Sequence, residues 1–185
     1  MPPETTPPGE LGSAAAEFRL PATDGQTYSL ADVRGDKGTL VMFICNHCPY
    51  VKAAIGRIVA DARQLAAHGV GCVAIMPNDT EQYPADSFDN MKRFAADHDF
   101  PFPYLIDESQ DVARAYGAVC TPDFFGYDAE LKLRYRGRLD QGRTDPVPAG
   151  APRELLQAMI EVTETGKAPA EQRPSMGCSI KWRHD

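Results

Sequence analysis

Residues 38–45, GTLVMFIC, run without a charged side chain and are rich in Val, Ile and Phe, which predicts a strand buried on both faces of a sheet. Beyond it the period changes. Val51, Ile55, Ile58, Val59, Ala62 and Leu65 recur at helical spacing from Pro49 to His68, and Gly69 offers the left-handed residue that ends such a helix. VGCVAIM (70–76) repeats the buried-strand pattern, and DSFDNMKRFAADHD (86–99) predicts a second helix. FPYLID (102–107) reads as a short strand and SQDVARAYG (109–117) as a short helix ending at Gly117. The stretch 123–139 alternates as a β-hairpin turning near Asp128–Ala129, and 152–166 is an amphipathic helix with Leu155, Leu156, Met159, Ile160 and Val162 inward. Ahead of all these, Asp24–Gly25 sits between short alternating runs over 18–30, the signature of a hairpin.

Strands alternating with helices and closing on a hairpin and a helix predict an α/β protein. The expected architecture is a three-layer α/β/α sandwich with a mixed central sheet and an N-terminal β-hairpin. One domain over 16–166 accounts for the pattern, with residues 1–15 as a flexible, Pro- and Thr-rich arm. The polar tail 167–185 carries Cys178, Ile180 and Trp182 near its end. Those side chains favour burial, so the tail is expected to pack back on the domain.

Composition narrows the function. The 185 residues are 43% apolar and 24% charged, ordinary for a globular chain, with a net charge of −7. An acidic chain lacks the basic face that nucleic acid or an anionic membrane requires. Arg134, Arg136 and Arg138 alternate as on one solvated strand face. The first residues show neither a basic n-region nor an apolar h-region, and no run reaches transmembrane length, so the cytoplasm is the expected address. Five cysteines are an odd number and too few for a secreted disulfide scaffold of this size.

The candidate chemistry lies in FICNHCPYV, 43–51. Cys45 ends the buried strand and Pro49 opens the helix, where its missing N–H costs nothing. The pair Cys45–Cys48 therefore faces unpaired backbone N–H groups and the positive end of the helix dipole. That field favours a thiolate on Cys45, read as the exposed member, with His47 adding positive charge if protonated and Cys48 placed to resolve a mixed disulfide. Zinc fails on counting, since a closed site wants four ligands and no second pair accompanies the first; His68 and His98 fall at helix C-termini, where a cation suits the dipole. No metal and no cofactor is expected. A structural disulfide would close too small a loop to constrain the unfolded chain.

A second stretch, GAVCTPDFF, puts Thr121–Pro122 just ahead of the hairpin. Together with DGQTYSLADVRG and TLVMFICNHCP it resembles the thioredoxin-like superfamily, in the redoxin branch that includes AhpC/TSA, peroxiredoxin-like and TlpA/ResA-related proteins. The resemblance covers about residues 15–165. It implies that Pro122 is cis and faces the Cys45–Cys48 pair, and that Thr121 offers backbone groups to an incoming peptide or mixed disulfide. It also implies protein or small-molecule thiols and disulfides as partners. The chain departs from the pattern in having Ile44 before the first cysteine and no acid in TLVMFI, leaving water, His47 or a distant group such as Asp107 to move protons.

Thiol–disulfide exchange is thus the leading expectation, with two alternatives open. A peroxiredoxin-like peroxidase needs Pro-x-x-x-Thr/Ser-x-x-Cys, and neither cysteine has it: Met42 and Gly38 precede Cys45 at those positions, and Val41 and Cys45 precede Cys48. Arg138 remains a candidate cation for a peroxide. A copper-binding protein of the Sco type spaces its cysteines one residue wider and needs a distal histidine, for which only His184 is on offer. Cys72 reads as core. Cys120 and Cys178 stand as possible accessory thiols, the first beside Thr121–Pro122 and the second in the tail. Oligomeric state is left open.

Overall fold

In the computed structural model, which describes residues 3–184, the run 38–45 becomes strand β4 (Gly38–Phe43), every residue of it buried. Its side chains alternate between two cores. Leu40 and Met42 point to one, Val41 and Phe43 to the other. Parallel neighbours follow on one side, β5 (Val70–Met76) and then β6 (Tyr104–Ile106). On the other side β8 (Asp123–Asp128) and β9 (Leu133–Tyr135) run antiparallel, which makes the five-stranded sheet mixed.

Helix α2 (Pro49–Ala67) covers the first core with Ile55, Ile58 and Leu65, joined by Leu155 and Met159 of α5 (Glu154–Thr165) and Met91 of α3 (Phe88–Asp97). Burying each such side chain contributes about 1.5–3 kcal/mol. The second core is closed by α1 (Leu30–Val33), α4 (Asp111–Tyr116) and the hairpin of β2 (Arg19–Pro21) with β3 (Thr27–Ser29), through Phe18, Leu30 and Tyr116. The layers are those of a thioredoxin-like sandwich. The expected stops also hold: Gly69, Gly117 and Gly166 lie at φ +81, +72 and +68.

Three boundaries differ. The second helix starts at Phe88, because Pro84–Asp86 form a separate 3-10 turn and Ser87 caps the helix by accepting from the Asn90 N–H at 3.2 Å. The strand predicted over 102–107 shortens to Tyr104–Ile106. The hairpin turn spans 128–132, where Asp128 accepts from the N–H groups of Glu130 (2.9 Å) and Lys132 (3.0 Å).

The larger correction concerns the chain ends. The segment expected to be a flexible arm forms β1 (Pro3–Thr5), paired antiparallel with β10 (Met176–Ser179) in the tail. β10 in turn pairs antiparallel with β7 (Cys120–Thr121), setting Cys178 opposite Thr121. The side chains of β1 are all exposed, so no hydrophobic pattern marks it; backbone hydrogen bonds alone hold it. Gly177 allows this close approach, since a Cβ there would lie 1.9 Å from the Thr121 carbonyl oxygen. Past β10, Asn78 accepts from the Lys181 N–H (2.9 Å), Gln110 bridges Lys181 and Arg183, and Ile180 enters the second core.

The arginine run is not one solvated face. Arg136 is 7% exposed and donates to both oxygens of Asp123 (2.9 and 3.3 Å), with its guanidinium 4.5 Å from the Phe125 ring. Arg134 pairs with Asp128 at 2.8 Å and Arg138 with Glu154 at 2.9 Å. Only Arg134 lies in β9; Arg136 and Arg138 follow its end, and the alternation says nothing of the acids brought to them from β8 and α5. Among the described residues no helix is long and apolar enough to cross a membrane.

Candidate active site

Strand β4 runs into the segment that delivers Cys45, and Cys48 is the residue ahead of Pro49 at the start of α2. Both thiols are free and fully buried. The Thr121–Pro122 peptide is cis, as the resemblance implies. Thr121 meets both sulfurs. Its hydroxyl lies 3.4 Å from Cys45 Sγ, and its carbonyl oxygen accepts from Cys48 Sγ at 3.2 Å.

The opposite wall comes from the loop after β5. Asp86, entirely buried, accepts from the Asn46 N–H (2.9 Å) and from Asn78 Nδ2 (3.0 Å). His47 Nδ1 lies 2.6 Å from Asp86 Oδ2, an ion-pair contact by distance whose angle falls outside hydrogen-bond geometry. The His47 ring stacks on Tyr83 at 6.0 Å, and the Tyr104 hydroxyl holds Asn46 Oδ1 at 2.8 Å. The site therefore has a buried acid, supplied not by β4 but by a 3-10 turn forty residues further on.

The two sulfurs have unequal surroundings, which the sequence did not show. Cys45 is not the exposed member, and its thiol is pushed well above the ordinary range by its hydrogen bond to Cys48, by burial and by the negative charge of Asp86. Cys48 is lowered to about 4: the Cys45 thiol donates to it, Cys178 adds a second sulfur contact, and the backbone N–H groups of Val51 and Cys178 point at it. Of the two, Cys48 is the more readily ionised; as a thiol it donates to the Thr121 carbonyl, a bond it gives up on ionising. The helix start does favour a thiolate, but on the other sulfur, because Asp86 and burial disfavour charge on Cys45 and neither is visible in the local pattern.

Cys45 Sγ, His47 Nδ1 and an Asp86 oxygen lie within 4.8 Å of one another, a donor set of the kind that holds zinc. It supplies three ligands, one short of a closed zinc site, and Asp86 already accepts from Asn46 and Asn78. Of the other candidates, Cys178 packs against the core cluster that holds Cys48, on the strand paired with Thr121, whereas Cys120 turns away and donates to the Pro122 carbonyl at 3.6 Å. Cys72 packs at the edge of the first core. Asp107 is not a solvated turn aspartate: it is fully buried and caps α4 by accepting from the Ala113 (2.8 Å) and Val112 (3.4 Å) N–H groups. Arg138 is held by Glu154 through two guanidinium nitrogens. Asp86, Asn46 and Asn78 were missed, and no spacing in YPADSFDN separates Asp86 from an ordinary acidic helix start.

Asp86→Asn should lower the Cys45 thiol back toward its ordinary value, since a negative charge that opposes the thiolate is removed. Alkylation of Cys45 followed against pH will then titrate earlier in the variant than in the wild type; coincident profiles would show that Asp86 has no electrostatic part.

Comparison with known proteins adds a family match: the model of the AhpC/TSA family matches residues 11–136. The chain is similar to an uncharacterized conserved protein from Geobacillus kaustophilus, with 45% identity and a TM-score of 0.93 over 100% of this chain and 98% of that one. It is similar also to a hypothetical protein from Sinorhizobium meliloti 1021, at 36% identity and TM-score 0.90, covering 98% and 99%. A thiol:disulfide interchange protein DsbE, described as putative, from Chlorobium tepidum shares the fold at 21% identity, TM-score 0.60, over 83% and 97%. No curated protein matches.

Proposed function

Because the chain belongs to the AhpC/TSA family, whose redoxins carry their chemistry on cysteine, we propose that it is a thiol–disulfide oxidoreductase working through Cys45 and Cys48. The observation that carries this reading is the contact of two reduced thiols with each other and with Thr121, the residue before cis-Pro122. The Cys48 thiolate attacks one sulfur of a substrate disulfide, and the other leaves as a thiol after taking a proton. Cys45 Sγ then attacks Cys48 Sγ in the mixed disulfide. The Cys45–Cys48 bond forms, the second substrate thiol leaves, and two electrons have passed to the substrate. Asp86 stands within 4.8 Å of Cys45 Sγ, placed to draw off its proton during that second attack. Active-site surroundings are supplied by His47, Pro49, Thr121 and Pro122; the chemistry asks for no cofactor, and the partners are thiols and disulfides in a reducing compartment, the cytoplasm.

One observation favours a second reading, a peroxiredoxin-like peroxidase. The Thr121 hydroxyl supplies beside Cys45 the group that the local motif lacks. Against it, the Cys45 thiol is held protonated and Arg138 is engaged by Glu154. Stopped-flow mixing of the reduced protein with a peptide disulfide and with hydrogen peroxide decides between them. Faster oxidation by the peptide disulfide is expected; faster oxidation by peroxide would establish the peroxidase instead.

A further inference from the structure

We propose that Cys178 is the third thiol of the redox centre, carrying disulfide equivalents between the buried Cys48 and partner thiols outside. The inference rests on the Cys45–Cys48 reading above and extends it to the tail. Access to the pair is the difficulty it resolves. Neither sulfur of the pair has exposed surface, while Cys178 is only partly buried and stands on the strand paired with Thr121, whose carbonyl meets Cys48. Cys178 therefore offers a partner thiol a more open point of attack than Cys48 does.

The contact is built rather than incidental. β10 is fixed in register on β7, with Cys178 opposite the same Thr121 whose hydroxyl and carbonyl meet Cys45 and Cys48. Gly177 lets the strand lie against the Thr121 carbonyl, β1 pairs along its other edge, and Asn78 and Gln110 hold the chain just beyond. Asn78 also donates to Asp86, so the acid beside Cys45 and the strand bearing Cys178 share one support. Thr121 thus gathers all three cysteines: its hydroxyl and carbonyl meet Cys45 and Cys48, and its backbone pairs with Cys178.

The relay is an isomerisation. When the pair is oxidised, Cys178 Sγ attacks Cys48 Sγ; the Cys48–Cys178 bond forms and the Cys45–Cys48 bond breaks. Cys45 leaves as a thiolate and takes up the proton that Cys178 gave, so no electron is gained or lost. An external dithiol then attacks Cys178, and its second thiol resolves the mixed disulfide, delivering two electrons that restore both thiols. The charge pattern suits this order. In the reduced protein, burial first and the Cys48 thiolate second hold the Cys178 thiol up at about 11. Oxidation of the pair removes the negative charge on Cys48, so Cys178 ionises more readily when its attack is needed.

The test is disulfide mapping of the full chain. Reduced wild type and Cys45→Ser are treated with glutathione disulfide, quenched in acid, alkylated, digested and analysed by mass spectrometry. Cys45→Ser should yield a Cys48–Cys178 disulfide and lose its glutathione, and partly oxidised wild type should show Cys45–Cys48 together with Cys48–Cys178. A stable glutathione adduct on Cys48, with Cys178 still open to alkylation, would overturn the relay while leaving the pair intact. Wild type that forms no Cys45–Cys48 disulfide at all would instead overturn the pair itself. Should Cys45→Ser fail to fold, the wild-type map decides alone: Cys48–Cys178 present upholds the relay, and Cys45–Cys48 as the sole species overturns it.

Discussion

Cys48→Ser will reduce turnover of a peptide disulfide to the uncatalysed background. Three functions meet on that one sulfur. On the proposed mechanism it is the more readily ionised thiol, the shared member of both disulfides, and the atom through which Cys45 and Cys178 exchange. At neutral pH an ordinary free thiol is only a few per cent ionised, about thirtyfold less than a group that titrates near 4. Serine does not ionise in this range at all. The remaining Cys45 loses the hydrogen bond that raises it most, yet stays under burial and the charge of Asp86. It will therefore alkylate slowly but cannot close a disulfide with its neighbour. The check is steady-state reduction of a fluorescent peptide disulfide beside alkylation of Cys45; turnover surviving in Cys48→Ser would move the chemistry elsewhere. The wild-type rate should hold steady from neutrality down toward pH 4 and fall below it, because protonation of Cys48 removes the nucleophile.

Asp123→Ala should cost about 3–5 kcal/mol of stability, the usual penalty for stranding one member of a buried ion pair. Arg136 is held by both oxygens of Asp123, and the Gly117 carbonyl accepts a further bond at 3.0 Å. Removing the carboxylate leaves a desolvated guanidinium against Phe125, and strips the Val119 N–H of its acceptor at 3.1 Å. Asp123 directly follows Pro122, so the loss also loosens the segment that presents Thr121 to the sulfurs. Urea unfolding followed by circular dichroism measures the effect, with Arg134→Ala, at a more exposed pair, as the mild control. A change in Asp123→Ala no larger than in that control would show the pair to be energetically neutral.

The frame of the molecule was legible because its elements declare themselves by period. The charge-free run at 38–45, the spacing Val51–Ile55–Ile58–Ala62–Leu65 and the glycines at 69, 117 and 166 each state a local physical requirement. The cysteine pair and cis-Pro122 were legible for the same reason, as short motifs. What escaped was long-range. Asp86 reaches Asn46 across forty residues, Asp123 removes Arg136 from a face that alternation reads as solvated, and β1 is three exposed residues with no apolar member facing a core. The unequal surroundings of the two thiols were hidden with Asp86, since a helix dipole acts on both cysteines and only their neighbours separate them.

The ribbon of β1, β10 and β7 has a consequence for synthesis. It joins residue 3 to residue 178, and residue 178 to residue 121, so it cannot assemble until the tail has emerged from the ribosome. Up to that moment the nascent chain presents Cys45 and Cys48 without the strand that later lies over them, and β7 offers a bare edge to any extended segment nearby. Residues 176–179, made after the rest of the domain, thus complete the surroundings of Thr121. A pause late in translation, or a premature stop, leaves an otherwise folded domain whose two thiols face solvent, open to cross-linking with whatever cysteine passes.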